Sequence, residues 1–333
     1  MKYLLTRLVW LPVVLWAVVT LTFVVLRLAP GNPLDAIAAR AIASDQIERV
    51  RAEWGLDQPL WQQYLVFLGG LLRGDFGVAL SSGVPVIRLL GDRLPPTIEL
   101  ALAAMIISTV VGVGAGVISA VARNRWIDYS VRLLAITGLS VPWFWLAIVL
   151  IIIFSVRLGW TPVGGRIEAG MDYQVRTGFM LIDTLLTGNW VALGSFLRHL
   201  ALPALAIGLT SAGFVARVTR SAMLDVLRAD YIRTARAKGL RDQVVVVRHA
   251  LRNALLPVLT LQGLQFGALL GGAVITEVVF AWPGVGRLLL ESIQRRDYPV
   301  VQGAVIFVAL CYVLVNLAVD VLYHVVDPRL RRA

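Results

Sequence analysis

Six stretches of this sequence carry no charged side chain: 8–26, 100–122, 133–156, 200–216, 253–276 and 300–319. A helix rising about 1.5 Å per residue needs roughly 20 residues to cross about 30 Å of hydrocarbon, so each stretch reaches or approaches a membrane span, 200–216 being marginal by itself. The composition suits that solvent. Of 333 residues 58% are hydrophobic and 15% charged, against about 45–50% and about 25% in soluble domains. Cys311 is the only cysteine and sits in an apolar run, while His199, His249 and His324 are too scattered for a zinc site, so neither a disulfide scaffold nor a metal centre is expected. The fold class that follows is an all-α polytopic membrane protein with six transmembrane helices.

Basic residues near span ends stay on the cytoplasmic side, so their placement gives the orientation. Residues 1–7, 123–132, 217–252 and 325–333 hold 17 basic and 5 acidic side chains, which is essentially the whole net charge of +11 on one alternate set of connections. Both termini and the loops after spans two and four are thus expected in the cytoplasm, with 30–95, 157–198 and 283–299 outside. The charge explains itself as topology, and no nucleic-acid partner is called for. Residues 8–26 exceed the roughly 7–15 residues of a signal-peptide core, so 1–29 reads as a cytoplasmic start plus an uncleaved first span.

The external 30–95 segment reads as helical. Asp45 and Glu48 have capping-box spacing, Gly55 ends that helix, and Pro59 opens another with Leu60, Tyr64, Phe67, Leu68 and Leu71 as its apolar stripe up to Gly74. Within the spans, Gly112 with Gly116, and Gly263 with Gly267 and Gly271, recur at four-residue spacing, which permits close helix packing where lipid gives no hydrophobic drive for association. Pro142 and Pro203 are expected to kink their helices. Arg27, Glu99, Glu277 and Asp320 lie near span ends and read as interface-reaching or helix-capping groups. Hydroxyls such as Ser108, Thr109, Ser119, Ser140 and Ser155 have no base placed to serve them, so an intramembrane hydrolase is disfavoured.

The stretch 217–252 is far more basic than a topology signal requires, with nine Lys and Arg among good helix formers. Leu227, Tyr231, Thr234 and Lys238 recur at three- and four-residue spacing, Gly239 stops the helix, and Asp242 is placed to cap another. The expectation is two short cytoplasmic helices joined at a glycine elbow, either docked on another protein or lying on anionic headgroups.

The run Tyr231-Ile-Arg-Thr-Ala-Arg-Ala-Lys-Gly-Leu240, followed by Arg248-His-Ala-Leu-Arg-Asn-Ala-Leu-Leu-Pro257, closely resembles the cytoplasmic loop of permease subunits in the dipeptide/oligopeptide/nickel branch of ATP-binding-cassette (ABC) importers. Arg93-Leu-Pro-Pro-Thr-Ile-Glu-Leu-Ala-Leu-Ala103, Val279-Phe-Ala-Trp-Pro-Gly-Val-Gly286, Arg296-Asp-Tyr-Pro-Val300 and Asp327-Pro-Arg-Leu-Arg331 are similar to that family's other signatures, in its order. Against the wider superfamily pattern, Gly239, Ala235 and Leu251 fit, whereas Arg233 stands where Glu is usual, His249 where Ile is and Arg252 where Pro is. The departures resemble one of the two permease forms of the peptide branch.

The resemblance implies a type I ABC importer permease fold with a transmembrane core over 96–324 and a cytoplasmic tail over 325–333. It also implies an ATPase-coupling loop of Leu227, Tyr231, Arg233, Thr234, Ala235, Arg236, Ala237, Lys238, Gly239, Leu240, His249, Asn253 and Pro257, with Leu227, Tyr231 and Ala235 as foremost contacts after the glycine. Its implied partners are a second homologous permease in a heterodimer, two cytoplasmic ABC ATPases and an external substrate-binding protein, in the inner membrane of a prokaryote. A phosphate-binding P-loop needs Gly-x4-Gly-Lys-Ser/Thr, yet Lys2 and Lys238 are the only lysines and neither has that setting. The chain is therefore read as a transport subunit and not an enzyme: it binds no cofactor, and ATP and magnesium are used by its partners. The cargo class implied is di- or oligopeptides or similar small solutes, with no residue assignable to it.

Overall fold

A computed structural model describes residues 2–28 and 58–326, with side chains over 9–28, 58–269 and 273–318. The Asp45 capping box, Gly55, the surroundings of Gly271, the side chains of Asp320 and His324, and 327–333 lie outside these. Among the described residues the chain is all-α, apart from one isolated bridge between Val78 and Pro85.

Helix α1, Lys2–Leu28, is apolar all round and exposes Val9, Trp10, Val13 and Trp16 as a lipid-facing helix would. It buries Phe23, whose ring meets Tyr64 edge-on at 5.3 Å and stacks with Phe67 at 5.8 Å on α2, Leu60–Leu72. The aromatic half of the stripe predicted for this helix thus faces α1.

Helix α3 runs from Val86 to Val121. It starts well before the expected span, so Pro95 and Pro96 lie inside a helix. Lacking an N–H, Pro95 and Pro96 leave the Gly91 and Asp92 carbonyls without their usual helical donors; both prolines are buried, and the Trp282 indole separately donates to the Pro96 carbonyl at 2.9 Å.

The third span departs most from expectation. Helices α4, Trp126–Ser140, and α5, Trp143–Leu150, which continues as a π-helix over Ile151–Arg157, meet at 99°. Pro142 has no N–H and disfavours helical backbone before it, and Val141 is extended (φ −81°, ψ 123°). The expected kink is a break. Among the described residues five continuous helices are thus long and apolar enough to cross a membrane, six if the bent pair counts as one broken span.

After α6, Met180–Thr187, the Asn189 side chain accepts from the Ala192 N–H and starts α7, Trp190–Val226, which passes through buried Pro203 without interruption. Helices α3 and α7 run parallel along a seam of small residues. A Cβ on Gly112 would lie 2.8 Å from the Ala212 carbonyl, one on Gly116 2.7 Å from that of Ala216, and one on Gly208 2.9 Å from that of Ala104. Backbones at that separation exclude any side chain, as small-residue packing in lipid requires. Gly213 abuts the Ala135 carbonyl of α4 in the same way.

Helix α8, Asp230–Ala237, follows. The second short helix expected after Gly239 is instead the beginning of the fifth span. Asp242–Val244 runs through a π-helical stretch, Val245–Leu251, into α9, Arg252–Gly272. Gly263 is buried in α9, and Gly267 packs against the Tyr312 ring. Helices α10, Val274–Val279, and α11, Val285–Gln294, form a hairpin before α12, Tyr298–Val326.

The alternate connections gather at opposite ends of the bundle. One end packs Ala120, Met223, Ile232, Val245 and Ala254 around α8. The other, the cap end, packs Ala79, Val86, Leu90, Val285 and Val300.

Candidate functional site

The α8 end holds the candidate site. Eight residues give α8 two faces. Ile232 and Ala235 are buried against Met223, Val245 and Ala250, which roots the helix on the inner turns of α7 and the start of the fifth span. Ile232 was not among the sequence candidates, although its i, i+3 spacing with Ala235 could have marked the inward stripe. Ala235 is buried and Leu227 half-buried, and both pack on this chain's own core.

The outward face carries Tyr231, Arg233, Thr234, Arg236, Ala237 and Lys238, all exposed. Arg233 lies 3.7 Å from Asp230 on its own helix, and Arg236 reaches Asp242 across the elbow at 3.4 Å. Both pairs are solvent-exposed and weak. Asn253 Nδ2 donates to the Tyr231 hydroxyl at 2.8 Å and to the His249 carbonyl at 3.2 Å, tying α8 to the fifth span. Gly239 takes φ +76° and Leu240 beside it is 41% exposed. Pro257 lies in the second turn of α9, about four helical turns past the elbow, and is exposed.

Beside α8 lies a clamp that the sequence did not reveal. Asp128, fully buried, accepts from Arg220 Nε at 2.8 Å and Nη2 at 2.9 Å, from the Ser119 hydroxyl, and from the Asn124 N–H at 3.0 Å. It joins α3, α4 and α7 just above the root of α8. Ser119 does have a carboxylate partner, but both oxygens of Asp128 are committed to a guanidinium, so the pair is a structural clamp and no nucleophile–base dyad.

At the cap end Glu99 and Glu277 follow the helix-capping alternative, each accepting from an N–H in the first turn of another helix, and neither reaches outward. Glu99 is buried, pairs with Arg166 and accepts from the Leu181 N–H at 2.9 Å. Glu277 is fully buried and accepts from the Thr97 hydroxyl at 2.7 Å and the Arg287 N–H at 2.9 Å, so close to Gly284 that a Cβ there would overlap it. Asp297 accepts from the N–H groups of Leu80 and Ser81. Runs singled out by resemblance, Arg93–Ala103, Val279–Gly286 and Arg296–Val300, thus meet as the latches of one cap. Asp183 is buried in the connection before α7. Burial pushes its carboxyl up, but donors from the Thr177 hydroxyl and the N–H groups of Thr177, Arg176 and Gly178 outweigh this and hold it below the usual range.

Among the described residues no cluster of His, Cys, Asp or Glu could hold a metal ion. The arrangement is mechanical, with a short exposed helix rooted on the span ends, a salt-bridged clamp above it and a latched cap opposite.

Residues 112–332 match the family model described as binding-protein-dependent transport system inner membrane component, and residues 1–101 match the model of its N-terminal region. The chain is 48% identical to the di/tripeptide transport system permease protein DppB of Pseudomonas aeruginosa, across 95% of this chain and 94% of that one. It is 47% identical to the dipeptide transport system permease protein DppB of Escherichia coli K12, across 93% of each, and 40% identical to the glutathione transport system permease protein GsiC of Escherichia coli O1:K1, across 99% of each. Among solved structures it is similar to the MetNI methionine ABC transporter in inward-facing form, with TM-score 0.54 and 19% identity over 72% of this chain and 96% of that one.

Proposed function

The chain belongs to the family of binding-protein-dependent transport system inner membrane components, and from that premise we propose that it is the permease through which an ABC importer moves dipeptides and related small peptides. Relatives at 47–48% identity are named as di/tripeptide and dipeptide permeases, and the glutathione relative widens the class to peptide-like solutes without changing its chemistry. A second homologous permease completes the pathway. Two ATPases sit on the cytoplasmic side, an external binding protein delivers cargo at the cap, and the assembly lies in the inner membrane of a bacterium with both termini inside.

The single observation that carries the coupling role is α8, rooted by Ile232 and Ala235 and presenting a basic outward face. Its cationic side chains suit an acidic groove on the ATPase. When ATP closes the two ATPases their motion enters through α8, and the rigid root passes it to α7 and the fifth span. The spans then exchange an inward-facing for an outward-facing arrangement, and hydrolysis in the partners resets them.

An affinity pull-down of the tagged chain from its own membrane tests this, repeated with Gly239→Asp. A second permease and ATPases are expected to co-elute with the native chain and the ATPases to be lost from the variant. A chain that elutes alone, with transport intact in liposomes, refutes the ATPase assignment and points to an ion gradient.

A further inference from the structure

A cavity of about 240 Å³ lies where α7, α9 and the two broken helices converge. Trp143 opens α5 immediately after the break at Pro142, and Ala273 is the non-helical residue between α9 and α10. Interrupted backbone at membrane depth persists only where protein buries it or a polar cavity takes it up, and both interruptions face this space.

The polar lining is Trp143, Thr210, Ser211, Gln265 and Thr276, with Ile207 among its apolar walls. No charged side chain lines it. Thr210 returns its hydroxyl to the Ala206 and Ile207 carbonyls, as Thr109, Thr184 and Thr260 do to theirs. Thr276 does not. It is 0% exposed, and its hydroxyl has no partner among the described residues. Ser211, Gln265 and the Trp143 indole also make no side-chain hydrogen bond among the described residues. A buried hydroxyl without a partner costs stability, so Thr276 calls for an occupant, and the half-exposed Trp143, Ser211 and Gln265 around the same space add donors and acceptors that are free to meet it.

We propose that this cavity is the intramembrane contact site for the passing solute, where Thr276, Ser211 and Gln265 hydrogen-bond its uncharged amide groups. A peptide unit offers one N–H and one C=O, which the Gln265 amide and two hydroxyls complement. The uncharged lining assigns the site to the middle of the solute, leaving its charged ends outside the cavity. The volume, below the roughly 300–1,000 Å³ of drug-sized sites, suits a small solute or a short part of one. This deepens the peptide-importer reading and rests on it.

The test uses the full assembly in proteoliposomes, with labelled dialanine as probe and Thr276→Val, Thr276→Ser and Gln265→Leu as variants. Thr276→Val keeps the shape and removes the idle hydroxyl. Its thermal midpoint should rise by about 2 °C while dialanine uptake falls about 3- to 10-fold, as the loss of one or two hydrogen bonds implies. Thr276→Ser should restore uptake, and Gln265→Leu should slow it comparably. ATP hydrolysis stimulated by the loaded binding protein should persist in all three. A native assembly that imports dialanine while Thr276→Val leaves uptake unchanged overturns the site and spares the importer reading. A lowered midpoint for Thr276→Val shows a structural partner for the hydroxyl and also overturns it. A native assembly that imports no peptide overturns the peptide reading, and the contact site falls with it.

Discussion

Replacing Asp128 with alanine should destabilise the α8 end more than any other single change there. The carboxylate is fully buried and takes both hydrogen bonds of the Arg220 guanidinium, which is itself 21% exposed. Removing it strands Arg220, the Ser119 hydroxyl and the Asn124 N–H together. Breaking one side of a buried pair costs about 3–5 kcal/mol, chiefly because the surviving charge stays desolvated. The residual exposure of Arg220 lets water relieve part of that, which places the expected cost near 3 kcal/mol. At about 2 °C per kcal/mol for a chain of this size, the thermal midpoint of the purified assembly should fall by about 6 °C. Asp128→Ala combined with Arg220→Leu leaves no orphaned charge, so the double variant should regain about 2 kcal/mol relative to the sum of the singles. Thermal unfolding in one detergent, run as a double-mutant cycle, reads these numbers. A single-variant loss under about 2 °C, or strict additivity in the double, would show that the pair is solvated and clamps nothing.

Three further outcomes follow from the same geometry. Gly116→Val would place its Cβ 2.6 Å from that of Thr219 and should sharply reduce folded yield in size-exclusion profiles, whereas Gly114→Ala, whose Cβ meets nothing within 4 Å, should leave the profile unchanged. Gly239→Ala meets no neighbour either, so its cost is the left-handed backbone alone, about 1–2 kcal/mol; transport should drop while the midpoint falls by only about 2–4 °C. Because Asp183 is held below the ordinary carboxylate range, its contribution to stability is full above the unfolded value of about 3.9 and disappears as pH falls through its lower folded value. The midpoint difference between the native chain and Asp183→Asn should therefore hold from pH 6 to about pH 5 and shrink below about pH 4.

The spans were legible because lipid demands long apolar helices, and Gly239 because a helix stop leaves a local mark. The break at Val141 was only half legible: Pro142 predicts a disturbance, but its angle is set by what α5 packs against. Asp128 was illegible for a different reason. Its partner is 92 residues away, and an acidic residue among arginines reads as a loop charge until the fold brings Arg220 to it. Glu277 hides in the same manner, since the hydroxyl that receives it comes from Thr97, 180 residues earlier. On α8, eight residues offer two plausible faces, and only the core beneath picks Ile232 over Tyr231.

The parallel seam of α3 and α7 also behaves as a beam. With 37 residues α7 is about 55 Å long, nearly twice the hydrocarbon thickness, and α3 with 36 residues matches it. Backbones in direct contact cannot slide without lifting Gly112 and Gly116 off their partners, so the two helices tilt as one body. A tilt of about 5° over that length moves the far end by about 5 Å. The α8 end and the cap end are thereby held on one rigid pair of helices, so a tilt of that small angle displaces the far end by more than the width of a water molecule.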